Sequence, residues 1–197
     1  MKVPLFPLRT VLYSGGPLAL RIFEVRYLDM ISKCMKNSSP FGVLLIKSGS
    51  ETGPATTYDI GTLARITDWY QGSDGLLGIT AVGEQRFRLL SSSREPDGLN
   101  IGDIELIPTE TTRTLPDEYR PLADILSGVL EDLGCLYETL DKKYDDAGWV
   151  GYRLAEILPI TPEQKQNCLE ADDPVRRLEM MRELLHTAAP VTRFKSI

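Results

Sequence analysis

A chain of 197 residues makes one large domain or two small ones and is long enough to bury a core without disulfide or metal staples. Its 42% hydrophobic and 25% charged content is that of a globular protein. A net charge of −6, with a pI near 4.9, argues against a general affinity for nucleic acid or anionic membranes, which both need basic patches. The charge is uneven: residues 1–108 carry eleven acids and eleven bases, whereas residues 109–197 carry seventeen acids and eleven bases.

The chain opens with a short apolar run broken by Pro4 and Pro7, too short for a signal peptide, followed by a Gly15-Gly16-Pro17 turn and the apolar Leu18-Ala19-Leu20. Glu24 to Met35 places Tyr27, Met30, Ile31 and Cys34 at helical spacing. Phe41 to Ile46 reads as a buried strand, and Gly49 to Gly53, which lacks a following Lys-Ser/Thr pair, reads as a solvent loop rather than a phosphate-binding one. Gly61 to Tyr70 alternates, with Ala64, Ile66 and Tyr70 on one face and Arg65, Thr67 and Trp69 on the other. After a turn at Gln71–Gly75, Leu76 to Leu90 reads as a long strand bent at Gly83. Its inward face carries Leu77, Ile79, Ala81, Phe87 and Leu89, with Arg86 and Arg88 pointing the other way. Asp97-Gly98 marks another turn, and Leu99 to Ile107 alternates again.

The Thr-rich segment Pro108 to Pro116 suits a connector and sets the expected boundary between residues 1–113 and 114–197. Beyond it Leu122, Leu126, Val129, Leu133, Leu136, Leu140 and Tyr144 fall three and four apart, predicting one long amphipathic helix ended before Gly148. Trp149 to Leu158 predicts a short helix. Thr161-Pro162 with Gln164 is a capping box, and Asp173-Pro174 starts a last helix. The fold class expected is α+β: a β-rich unit with one helix, then a bundle of about four helices.

In this order the motifs resemble the N-terminal, substrate-binding domain family of Lon protease. Pro4-Leu5-Phe6-Pro7-Leu8 resembles that family's first strand, and Leu18 to Tyr27 its next strand and helix entry. Arg21, Phe23, Glu24, Arg26 and Tyr27 form a signature, in which Val25 stands where the family often has proline. Phe41-Gly42-Val43 and Gly61 to Ile66 resemble its central strands, Gly83 to Phe87 its Gly-x-x-Arg-Phe segment with Arg86 and Phe87, and Leu154 to Pro159 with Lys165-Gln166 its bundle helix and the sequel. The resemblance implies a PUA-like β barrel followed by helices, engaging polypeptide substrates. These 197 residues hold no room for the ATPase and peptidase, so the expectation is the recognition end without the machinery.

Chemistry is sparse. Cys34, Cys135 and Cys168 form no Cys-x-x-Cys pair, so no metal site, disulfide framework or cofactor is expected, and free thiols suit a cytoplasmic protein. His186 is the lone histidine, and the Asp145-Asp146 and Asp172-Asp173 pairs read as helix caps. The function expected is non-catalytic binding of polypeptide, either an unfolded or degron-bearing substrate or a protease or chaperone partner, with Tyr13, Trp69 and Tyr70 as candidate anchors. In the signature, Phe23 and Tyr27 are expected to fill the core while Glu24 and Arg26 pair locally. Two other readings remain: an RNA-binding module using Arg65, Arg86, Arg88 and Trp69 on one strand face, and a hydrolase built around His186. Oligomeric state is not readable.

Overall fold

The structure is a computed structural model that describes residues 1–133, 137 and 140–188. It divides into two compact units, Met1–Thr109 and Glu110–Ile197, so the boundary expected after residue 113 falls inside the second unit.

The first unit runs β1 (Lys2–Leu8), β2 (Pro17–Ile22), α1 (Val25–Asn37), β3 (Phe41–Gly49), β4 (Ala55–Thr57), β5 (Ile60–Gln71), β6 (Leu77–Arg94) and β7 (Asn100–Leu106). The seven strands form one sheet in the order β1-β7-β6-β5-β3-β4. Strand β1 also pairs in parallel with β3, through Leu5–Leu8 against Gly42–Leu45, so the pairing circuit returns to its first strand. Strands β2 and β4 lie outside that circuit, on β6 and β3. The arrangement is thus a curled, mostly antiparallel sheet with two appended strands, broadly consistent with the α+β fold expected. Each half of β1 is bonded mainly on one side, Lys2–Leu5 to β7 and Leu5–Leu8 to β3, which is where Pro4 and Pro7 can omit an N–H.

Both faces of the sheet are covered, which explains why Phe41 to Ile46 is apolar without interruption. Phe41 and Val43 join Met30, Ile31 and Cys34 of α1, Phe6, Tyr27, Ile79 and Ala81 in one core. Leu44 joins Val3, Leu5, Leu63, Phe87 and Ile104 in a second. Strand β6 lies at the centre, paired with β5, β7 and β2. At its expected bend, the Gly83 amide donates to the Gly16 carbonyl and its own carbonyl accepts from Gly15. A Cβ on Gly83 would lie 2.1 Å from the Tyr13 carbonyl oxygen, so only glycine fits this close approach. Val11, Leu12 and Tyr13 are buried against the sheet here, and Thr62 Oγ1 donates to the Leu12 carbonyl at 2.6 Å. Arg86, expected to point outward, is buried on the β6 position paired with Thr62. Strand β4 was not anticipated.

In the second unit, a 3-10 turn at Asp117–Tyr119 leads into α2 (Arg120–Leu133), α3 (Ala147–Ile157), α4 (Pro162–Glu170) and α5 (Pro174–Ala188). The long helix predicted to Tyr144 is shorter: α2 ends at Leu133, residues 141–143 are not helical and Tyr144 is in a turn, while Cys135 and Leu136 lie outside the described residues. Gly148 does not break a helix. It sits in the first turn of α3, where the Asp146 side chain caps its amide at 2.9 Å. The capping box of α4 forms as predicted, with Thr161 and Gln164 bonding each other's backbone. Asp173 accepts from the Val175 amide at the start of α5.

The unit turns on Arg177, which is fully buried. Its guanidinium makes a bidentate pair with Glu110, Nη2 to Oε1 at 2.5 Å and Nη1 to Oε2 at 3.1 Å. It also donates to the Cys168 and Ala171 carbonyls and stacks over Tyr152, whose hydroxyl donates to Glu110. Glu110→Ala should cost about 3 kcal/mol or more in urea-melt stability, because it strands a buried cation, and Glu110→Gln less. Nearby, burial pushes the Cys168 thiol up to about 11, against the opposing pull of Arg177 and Lys165. A thiol raised in the folded state contributes stability that is full below its ordinary value near 9 and lost as pH rises toward 11. Melting temperature should therefore fall across that window, and Cys168→Ala should flatten part of the fall; an unchanged slope in the variant would remove Cys168 from the account.

Candidate functional site

Concave surface and exposed apolar side chains in the first unit gather around α1. The helix starts at Val25 without a side-chain cap and ends at Ser38, which takes a left-handed φ of 49°. Its inner face, Tyr27, Met30, Ile31 and Cys34, is buried in the core. At its start, the Arg26 guanidinium ties three segments together. It pairs with Glu24 at 2.7 Å, donates to the Gly98 carbonyl at 3.0 Å and the Glu51 carbonyl at 3.3 Å, and lies 4.7 Å from the Tyr27 ring centre. Tyr27 stacks on Phe6 at 3.9 Å. Burial pushes the Tyr27 hydroxyl up, with Arg26 opposing. The local Glu24–Arg26 pair and the core position of Tyr27 are as expected.

Phe23 is not in the core. It stands at the corner between β2 and α1 and is 61% exposed, because Ile22, the last residue of β2, takes the buried position. Arg21, on β2, is exposed and pairs with Asp74. Phe87 is fully buried between the faces of the sheet. Val25, at the position where the resemblance led to proline, is exposed in the helix's first turn.

Two hollows flank the C-terminal half of α1 and share Cys34 and Ser39. The larger, about 510 Å³, lies between the helix and the β6–β7 turn over Met30, Leu99 and Ile101, with Lys33, Glu95 and Asp97 around it. The other, about 390 Å³, lies toward β5 and is walled by Met35, Ile66 and Trp69. Trp69 is 58% exposed and Met35 39%. The larger hollow has a mostly apolar floor, whereas the smaller mixes polar and apolar groups about equally in a trough beside the helix.

A β-bulge explains how Trp69 reaches that trough. Ile66 pairs with Ala81 and Trp69 with Ile79, the register slipping by one between Ile66 and Asp68. The slip moves Trp69 from the face expected, opposite Ile66, to the same face. Tyr70 goes to the other face, where its ring lies over Gly78; a Cβ on Gly78 would meet that ring at 2.3 Å. Tyr13, the third anchor expected, is fully buried beneath the sheet and is unavailable to a ligand. The structure therefore separates the three candidates. Met35 and the two hollows were missed and Phe23 was assigned to the core; only the position of Met35 outside the helix's apolar stripe signalled any of them.

The features needed for the other two readings are dispersed. Arg86 is buried, Arg65 is held by Glu84 at 2.7 Å, and Trp69 projects from the face opposite Arg65. Cys34 and Cys168 are buried with thiols pushed up by burial, the reverse of an activated nucleophile. Among the described residues no group of three His, Cys, Asp or Glu side chains could hold a metal ion, and no helix is long and apolar enough to cross a membrane.

Comparison with known proteins agrees with this fold. The family model of the ATP-dependent protease La (LON) substrate-binding domain matches residues 2–187. A Lon protease of Paraburkholderia phytofirmans is 29% identical over 187 residues, 89% of this chain and 23% of that protein. The chain spans about a quarter of the length of the curated Lon relatives it matches. Among solved structures, a Lon N-terminal domain protein from Xanthomonas campestris is 37% identical, covers 93% of this chain and 98% of its own, and superposes with a TM-score of 0.78. The N-terminal domain of a Mycobacterium avium complex Lon protease, at 14% identity, shares the fold with a TM-score of 0.66 over 97% of this chain and 100% of its own.

Arg26→Ala should cost about 2 kcal/mol and speed amide exchange at residues 49–53 and 95–98, the segments its guanidinium holds. Arg26→Lys should restore only part of this, since a single ammonium cannot reach three partners in a fixed fork. Unchanged exchange in both segments would show that the hydrogen bonds do not order them.

Proposed function

Because the chain belongs to the ATP-dependent protease La (LON) substrate-binding domain family, we propose that it is a non-catalytic module that binds unfolded polypeptide. The observation that carries the reading is the trough beside α1, where exposed Met35 and Trp69 face each other across a hollow of about 390 Å³. A folded partner hides its apolar side chains, whereas an unfolded one offers them singly, and a tryptophan with a thioether beside it suits such varied groups. The charged rim, Lys33, Glu95 and Asp97 along one side and Asp68 along the other, carries both signs and favours no single charge on the ligand. Buried, unbridged Cys34 and Cys168 suit a reducing compartment such as the cytoplasm.

Fluorescence anisotropy with reduced, carboxymethylated α-lactalbumin, which stays unfolded, tests the proposal against the native form of the same protein. Binding should be confined to the unfolded form. The double variant Met35→Ala, Trp69→Ala should weaken it about tenfold, equivalent to ~1.4 kcal/mol, with no loss of melting temperature, since both side chains are exposed. Equal affinity for the native form, or full affinity in the double variant, would reject the trough as the binding surface.

A further inference from the structure

Several strand edges of the first unit lack a neighbour, and most are blunted; the open sides of β1 carry Pro4 and Pro7. The outer edge of β5 beyond Ala64 carries the bulge between Ile66 and Asp68, and the Trp69 amide is taken by the Asp68 carboxylate at 2.8 Å. Strand β4 has only three residues. The far end of β6 is slipped between Leu89 and Ser91 and carries Arg88 and Arg94. Bulges, charges and short length are the usual protections against adding a strand.

Strand β2 has no bulge and no unpaired charge, and its one proline, Pro17, stands at its first position. Its six residues pair with β6 from Pro17 against Val82 to Ile22 against Leu77 without a register shift. It pairs with no other strand, and among the described residues no further backbone hydrogen bond reaches Leu18–Ile22. Its one charge, Arg21, is neutralised by Asp74. Such an edge offers alternating N–H donors and carbonyl acceptors, which only another extended backbone matches.

Beside this edge lies a hollow of about 320 Å³, lined by Phe6, Leu8, Leu20, Ile22, Phe23 and Tyr27. Phe23 stands exposed at its lip. Two carboxylates, Glu24 and Glu51, also line it. Glu24 is neutralised by Arg26, whereas Glu51 accepts the Arg9 backbone N–H at 2.7 Å and makes no ion pair among the described residues. Glu51 is thus the carboxylate of this hollow that has no ion-pair partner among the described residues, with the Arg9 guanidinium held nearby on the Gly49 carbonyl.

We infer that β2 is a strand-addition site: an extended peptide pairs with its free edge, places one uncharged apolar side chain in the hollow under Phe23, and sets a basic side chain against Glu51. The inference rests on the polypeptide-binding reading and names a second place and backbone-level chemistry for it. Phe6, Leu8, Leu20, Ile22, Phe23 and Tyr27 supply the apolar part of the hollow, which suits an uncharged side chain, while a basic one is directed to the Glu51 carboxylate at its edge. A second copy of this chain is the poorer occupant. Two β2 edges paired about a two-fold axis would join only six residues from each side, a strip well short of the roughly 1,200 Å² that stable interfaces bury.

The probe is a fluorescein-labelled octapeptide alternating leucine and threonine with a single lysine, compared with two versions N-methylated on alternate backbone nitrogens. Only one set of nitrogens can face β2. One methylated peptide should bind at least tenfold more weakly and the other within about twofold of the parent. Hydrogen exchange at Leu18–Ile22 should slow on binding. Replacing the lysine by glutamate should weaken binding about fivefold, and Glu51→Gln should abolish that difference. Equal affinities of the two methylated peptides, protection confined to the α1 trough, or self-association broken by Ala19→Pro would each overturn the inference. If carboxymethylated α-lactalbumin still binds in those cases, polypeptide binding survives and only the strand-addition site fails. If neither probe binds, the polypeptide-binding reading fails and this inference with it.

Discussion

Strand β6 must serve three partners, and the bare backbone of Gly83 lets it do so. On one side of that glycine the strand is shared by β2 and β5, and on the other by β5 and β7. The Gly15-Gly16 turn bonds to Gly83 at the changeover and carries the chain into β2. Any side chain at position 83 would drive the Tyr13 carbonyl away and release the buried Val11–Tyr13 segment that covers the sheet there. Both candidate binding places hang from this junction. The β2 edge exists because β2 leaves the strand circuit, and Trp69 stands where it does because β5 follows β6 past the glycine and then slips by one residue.

Where the sequence pattern follows backbone period, it predicts the fold well. The continuous run Phe41–Ile46, the helix through Tyr27, Met30, Ile31 and Cys34, and the capping box at Thr161 all rest on local geometry that a few residues determine. The pattern fails where one residue is inserted or one segment crosses another. Alternation through Gly61–Tyr70 assigns Trp69 to the wrong face because a bulge changes parity without any glycine or proline to announce it. Arg86 reads as exposed because alternation assumes one face of β6 is open to solvent, whereas both faces of the sheet are covered at the position paired with Thr62. Phe23 reads as core because it is large and apolar, yet a strand-to-helix corner has room for only one inward residue, and Ile22 takes it.

The second unit was legible for a different reason and to a different depth. Its helix starts are marked by residues that bond their own backbone, Asp146, Thr161 and Asp173, so they can be read in place. Its centre cannot be. Arg177 is an ordinary charged position on an amphipathic helix until Glu110, in a segment that reads as a connector, closes on it with Tyr152 stacked alongside. The apolar spacing ran on to Tyr144 across Gly134, a stop signal that directly follows Leu133, so periodicity overrode punctuation and overextended α2.

The two proposed binding places sit at opposite ends of one helix, which constrains what can use both. Helix α1 has 13 residues and is therefore about 20 Å long. Phe23 and the β2 edge lie at its start, and Met35 with the Trp69 hollow lies at its end. An extended chain covers ~20 Å in about six residues, so one unfolded polypeptide can engage both ends while a short folded segment cannot. Each contact alone is small, and small contacts exchange quickly. Joined through one flexible chain, the second becomes intramolecular and gains effective concentration set by the linking length. On the proposed reading, selectivity for unfolded chains needs no deep pocket: an unfolded chain offers its apolar side chains and its backbone together, whereas a folded one keeps most of both inside.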